Sequence, residues 1–94
     1  MSSAQASQYT PTQGQYLAFI YAYTCVPERP PAEADLQRFF RVTPPSVHQM
    51  IRTLEREGLI RRRPGVARSI ELLIPPDQLP VLRPQPVKSS VQRY

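Results

Sequence analysis

The sequence predicts a mainly α domain, three helices closed by a small two-stranded β-hairpin. Two helix starts are marked by a capping threonine followed by proline and then by apolar periodicity, at Thr10-Pro11 and Thr43-Pro44. Prolines and glycines punctuate the chain at Pro27, Pro30-Pro31, Gly58, Pro64-Gly65 and Pro75-Pro76. After Gly58 the apolar residues change from helical spacing to alternation, as in Ile70 and Leu72.

Residues 1–9 are rich in Ser, Gln and Ala and carry no charge, which predicts a disordered arm. In Thr10-Pro11-Thr12-Gln13, Thr10 can cap, Pro11 suits the first helical position and Gln13 completes a capping box. The first helix should run to Tyr23 or Thr24, with Gly14 weakening its first turn by roughly 1 kcal/mol. Leu17, Ile20, Tyr21 and Thr24 share one face, and Tyr16, Phe19 and Tyr23 share another. A monomer of this size buries one helix face well. Tyr16, Phe19 and Tyr23 are therefore candidates for a partner surface, a second copy of the chain included; the plainer alternative is a half-exposed rim.

Residues 26–31 break the first helix. Ala34 to Phe40 reads as a short second helix, with Leu36, Phe39 and Phe40 apolar, and Arg41-Val42-Thr43 as the turn after it, Val42 tucked inward. Thr43 caps the third helix with Pro44 in its first turn, and Pro45 leaves the start open by one residue because it disfavours helical geometry before it. Val47, Met50, Ile51 and Leu54 then point inward, Gln49, Arg52 and Arg56 outward, and Gly58 stops the helix. Leu59 to Arg63 and Arg68 to Leu73 read as strands around a Pro64-Gly65 tip, with Ile70 and Leu72 facing the core. The proline-rich residues 76–94 read as an extended tail, leaving residues 10–75 as the folded domain. Helix, short helix, helix and hairpin is the order of a winged helix-turn-helix, in which the third helix offers its polar face to the DNA major groove.

The 94 residues suffice for one small domain with a modest core. Twelve basic against seven acidic residues give a net charge of +5, which favours an anionic partner without naming it. Arg52 and Arg56 are like charges one turn apart, and Arg61, Arg62, Arg63 and Arg68 crowd the hairpin around Gly65; both groups are candidates for DNA contact. Cys25 is the only cysteine, which excludes an internal disulfide and fits a reducing cytoplasm, and His48 is the only histidine, so no metal cluster is expected. The apolar run from Tyr16 to Val26 is far short of a membrane span. No carboxylate pair, phosphate-cradling glycine loop or nucleophile elbow stands out, so neither an enzyme nor a cofactor or small-molecule ligand is expected.

From Tyr9 to Leu73 the chain resembles the N-terminal DNA-binding domain of the LexA repressor family. The resemblance lies in Tyr9-Thr10-Pro11, in Pro30-Pro31 with Ala34-Asp35-Leu36, and in Thr43-Pro44. It continues in Ile51, Leu54 and Gly58-Leu59-Ile60, then in Arg68 to Leu72 after the wing turn. It implies a DNA-binding transcriptional repressor, with Thr43 on a phosphate and Pro45, Ser46, His48 and Gln49 at the base-reading positions. Pro45 replaces a polar amide of the family and His48-Gln49 replace two acids, which implies a different operator; Gln49 could take adenine, and Arg52 or Arg56 guanine or phosphate. Nothing in these 94 residues resembles the family's C-terminal peptidase, and Lys88 is their only lysine, so self-cleavage is not expected and a homodimer is expected to use the first helix or the tail.

Two functions remain open on sequence. One is a sequence-specific double-stranded DNA-binding regulator working in the cytoplasm, at a bacterial nucleoid. The other is a winged-helix interaction or dimerisation module with only non-specific DNA binding.

Overall fold

Each helix begins where a side chain can satisfy its first free amides. The computed structural model describes residues 9–26 and 29–83. Helix α1 spans Pro11–Cys25, α2 Glu33–Phe40 and α3 Pro44–Arg56. At the start of α1 the Thr10 hydroxyl accepts from the Gln13 amide at 3.1 Å, and the Gln13 side chain accepts from the Thr10 amide at 2.9 Å. That is the expected capping box. Thr43 caps α3 by accepting from the Ser46 amide at 3.4 Å. Ala32, before α2, has no side-chain oxygen to offer; there the Asp35 carboxylate reaches back to accept from the Ala32 amide at 2.8 Å.

The helix ends are equally local. Gly58 adopts a φ of 77°, its amide donates to the Glu55 carbonyl and the Leu59 amide to the Leu54 carbonyl, each at 3.0 Å. This pair of bonds, with Leu54 and Leu59 both buried, is a Schellman closure, and it turns the chain from α3 into the wing. α2 ends on a left-handed residue that is not glycine. Arg41 has a φ of 57°, and its amide donates to the Gln37 carbonyl at 2.8 Å. Such a conformation costs an L-residue about 1–2 kcal/mol.

The core gathers Leu17 and Ile20 of α1, Leu36 of α2, and Val47, Ile51 and Leu54 of α3. Leu59, Ile60 and Ile70 add to it from the wing. Met50 and Val42 are half-buried at its edge. The aromatic face of α1 is also inside, against the sequence expectation. Tyr16 is 4% and Phe19 9% exposed. Tyr16 stacks flat on Phe40 at 4.2 Å, Phe19 packs on Phe39 at 4.7 Å, and Tyr23 tilts onto Phe19 at 5.6 Å. α2 carries two adjacent phenylalanines and lays both against α1, so a second face of α1 finds its partner within the chain. Tyr16 and Phe19 are thus not a free surface. Tyr21, grouped with Leu17 and Ile20 by helical spacing, is exposed.

Strands β1 (Ile60–Arg61) and β2 (Glu71–Leu72) are antiparallel, with Ile60 opposite Leu72 and Arg61 opposite Glu71. They are shorter than the expected strands over residues 59–63 and 68–73. Pro64 has no amide to give the ladder. Beyond Arg61, the Ser69 hydroxyl replaces ladder bonds, accepting from the Arg63 amide at 2.9 Å and donating to the Val66 carbonyl at 2.9 Å. Arg68, with a φ of 55°, leaves extended geometry altogether.

The packed region also passes residue 75, where the sequence placed its boundary. After a 3-10 turn at Pro76–Gln78 the chain crosses α1. The Tyr9 hydroxyl donates to the Gln78 carbonyl. The Gln15 side chain holds two backbone groups at once, donating to the Val81 carbonyl at 2.9 Å and accepting from the Arg83 amide at 2.8 Å. Leu79 and Leu82 pack on the core. The rest of the expected tail (84–94) and of the N-terminal arm (1–8) lies outside the described residues.

This crossing explains Gly14. A Cβ there would come within 2.8 Å of the Tyr9 ring and 3.0 Å of Pro80. Helix propensity alone predicts that Gly14→Ala stabilises the domain by roughly 1 kcal/mol. Overpacking costs about 1–3 kcal/mol. Urea unfolding of Gly14→Ala should therefore show a midpoint at or below that of the wild type, with no gain in stability.

Candidate nucleic-acid interface

At about 100° per residue, Pro45, Gln49, Arg52 and Arg56 fall within a sector of roughly 60° on α3. The sector lies opposite Val47, Ile51 and Leu54, and all four of its residues are exposed. Among the described residues, Arg52 and Arg56 have no carboxylate partner. The α3 axis is fixed from inside by the buried aliphatics, so this outer sector has one orientation relative to the wing.

The start of α3 is less suited to anions than an ordinary helix start. Pro44 and Pro45 carry no amide proton, and the Ser46 amide is taken by Thr43. The Thr43 and Ser46 hydroxyls lie 3.0 Å apart and bond to each other. Any phosphate held there would rely on these two exposed hydroxyls and on nearby side chains. Arg41 is one of them: exposed, left-handed and without an acidic partner among the described residues. The sequence assigned it only to the turn; its place two residues ahead of the Thr43 cap was the available signal.

His48 stands on the flank of α3 rather than in the outer sector. Its Nδ1 is 3.7 Å from Glu33 Oε2 at the start of α2. Arg62 of the wing reaches the same Glu33 oxygen at 3.4 Å and Glu55 of α3 at 3.1 Å. Its side chain is only 25% exposed. Arg62, expected at DNA with its neighbours, thus also braces the wing against α2 and α3.

Arg68 is turned inward as well. Its guanidinium donates to Asp35 at 3.1 Å and to the Pro30 carbonyl at 3.3 Å. The left-handed backbone at Arg68 swings the side chain across to the start of α2, which is why it does not join the exposed arginines. Arg61 pairs with Glu71 across the strands, Nε to Oε1 at 2.9 Å, with both side chains exposed. Such a surface pair contributes about 0–1 kcal/mol and exchanges readily for another anion. Arg63 is exposed and unpaired among the described residues, at the base of the tip. Gly65, with a φ of 75°, lets the tip turn while the Val66 amide donates to the Arg63 carbonyl at 3.1 Å.

Asp35 is the buried centre of this bracing. Burial by itself pushes its carboxyl up, but the Ala32 amide, the Tyr23 hydroxyl, Arg68 and Arg38 outweigh it. The group is held below the ordinary aspartate range. Tyr23, expected on a partner surface with Tyr16 and Phe19, is half-buried beside this carboxylate and Arg68.

Among the described residues no group of His, Cys, Asp and Glu could hold a metal ion, and no helix is long and apolar enough to cross a membrane. The geometry is that of an exposed basic helix face next to a braced hairpin. The family model of the MarR family matches residues 9–67, more than half of the chain, from Tyr9 ahead of α1 into the wing tip. This chain belongs to the MarR family. Members of the family are winged-helix DNA-binding transcriptional regulators, and the three helices and two-stranded hairpin found here are that architecture. The match is to the MarR family rather than to LexA repressors. A capped third helix, a glycine stop and a hairpin are landmarks that winged helices share, so they carried the architecture and not the family. No curated protein matches the chain.

In this MarR-family domain the depressed Asp35 sets a pH dependence. A carboxyl whose folded value is lowered contributes its full stability above its unfolded value, about 3.9, and loses it as pH falls through the folded value. Urea midpoints should therefore drop as the buffer is taken below about pH 4. In Asp35→Asn the midpoint at neutral pH should be lower and this acid slope shallower. An unchanged slope in the variant would remove Asp35 from the account.

Proposed function

We propose that this MarR-family chain is a sequence-specific double-stranded DNA-binding repressor, which acts by occupying its site. One observation carries the reading. Arg52, Arg56 and Arg63 are exposed and free of acid partners among the described residues, while Arg62 and Arg68 are half-buried in ion pairs with Glu33, Glu55 and Asp35. The division leaves free cations on the outer face of α3 and near the wing tip, where a duplex would lie. No catalytic step is part of this reading, and its place of action is the cytoplasm, at the nucleoid.

The interaction-module reading loses its chosen surface, because Tyr16 and Phe19 are in the core. Pairing of two copies fits better on the outer side of α1, where Tyr21, Ala22, Cys25 and Val26 are exposed. Two domains so joined would address half-sites about one helical turn of DNA apart.

Anisotropy titrations of labelled duplex at several salt concentrations test the DNA reading. Arg56→Ala and Arg63→Ala should each weaken binding on every duplex and reduce the log–log salt slope by about 1. Arg62→Ala should chiefly lower the unfolding midpoint. Wild-type-like slopes in both Arg56→Ala and Arg63→Ala would rule out the proposed backbone contacts.

A further inference from the structure

The outer sector of α3 holds a proline, an amide and two guanidinium groups in order. Each has a different relation to a base edge. We infer that Gln49 and Arg52 are the base-reading pair of this chain, and that its half-site carries an A·T pair contacted by Gln49 and a G·C pair contacted by Arg52, adjacent or one step apart. The inference rests on the DNA-binding reading above and deepens it.

The chemistry selects these two residues. The Gln49 carboxamide makes no hydrogen bond within the described residues, so it keeps one donor and one acceptor side by side. That pattern is the complement of adenine N6–H and N7 in the major groove. Arg52 is likewise without a partner, and its planar fork matches guanine O6 and N7. His48, also at a candidate reading position, is on the flank with Nδ1 turned to Glu33. Pro45 offers no donor, and its ring can meet only an apolar feature such as the thymine methyl.

The spacing separates Arg52 from Arg56. A recognition helix lies in the groove and meets base edges with its N-terminal residues. Arg52 is one turn nearer the start of α3 than Arg56, so Arg52 falls to the bases and Arg56 to the backbone. Gln49 and Arg52 are about 4.5 Å apart along the axis, between one and two base-pair steps of about 3.4 Å. Both therefore reach neighbouring pairs.

Selection from a pool of randomised duplexes, run in parallel with the wild type, Gln49→Ala, Arg52→Ala and Arg52→Lys, tests this. All three substitutions are on exposed positions. The wild type should enrich a motif with A and G in neighbouring positions. Gln49→Ala should lose about 5- to 150-fold discrimination at the A position and keep G. Arg52→Ala should do the converse. Arg52→Lys retains the charge without the planar fork and should weaken the G preference, which a mere phosphate contact would not. An enriched wild-type motif that lacks the A and G pair, or that survives these substitutions unchanged, overturns the inference alone. Failure of the wild type to enrich any motif overturns the DNA-binding reading and this inference with it.

Discussion

Two residues of pairing per strand cannot hold a hairpin against water, so the wing depends on what ties it to the helices. The principal tie is Asp35. Its carboxylate, buried at the start of α2, accepts from the Ala32 amide and from Arg38 of its own helix and from Arg68 of the wing. Arg68 adds the Pro30 carbonyl. A buried carboxylate with its charge and hydrogen bonds satisfied is tolerable; the same carboxylate stripped of partners costs several kcal/mol. The αL backbone at Arg68, itself worth about 1–2 kcal/mol of strain, persists because these bonds over-determine it. A second brace, Arg62 between Glu33 and Glu55, joins the wing to α2 and α3.

This bracing divides the basic residues by role. Arg62 and Arg68 hold the wing in place relative to α3. Arg61 is loosely paired, and Arg63 remains open. Glu33 of α2 and Glu55 of α3 draw His48 and Arg62 to one flank of α3, away from the face that holds Gln49, Arg52 and Arg56. Among the described residues, the arginines without an acidic partner gather on α3, in the turn at Arg41 and on the wing near Arg63, with Arg29 apart from them. Concentration of that kind suits a polyanion with a repeating phosphate spacing better than a small ligand.

What the sequence disclosed was local. The Thr10–Gln13 box, the Thr43 cap and the Gly58 stop involve residues within a turn of one another, and each is found where its motif placed it. The features it concealed join distant residues. Arg62 meets Glu33 across 29 residues and Arg68 meets Asp35 across 33, so no count of charges in the hairpin could say which were free. Tyr16 and Phe19 looked surplus because the landing of Phe39 and Phe40 on α1 is a tertiary event. Gly14 looked like a flaw in α1 because the segment that crowds it, Pro80, arrives from the far end of the described chain. The outer residues of α3 were legible for the same reason as the caps: a helix with a firm apolar face fixes its opposite face by geometry alone.

The central claim is that the outer face of α3 and the wing near Arg63 meet duplex DNA while α1 does not. Titration of 15N-labelled protein with a duplex, followed by amide chemical shifts, addresses it residue by residue. The account predicts progressive shifts at Ser46, Gln49, Arg52 and Arg63 that collapse at high salt, with Tyr21, Ala22 and Cys25 unmoved on a duplex too short to hold two domains. Shifts confined to α1, or spread evenly over the surface with no concentration on α3, would contradict it.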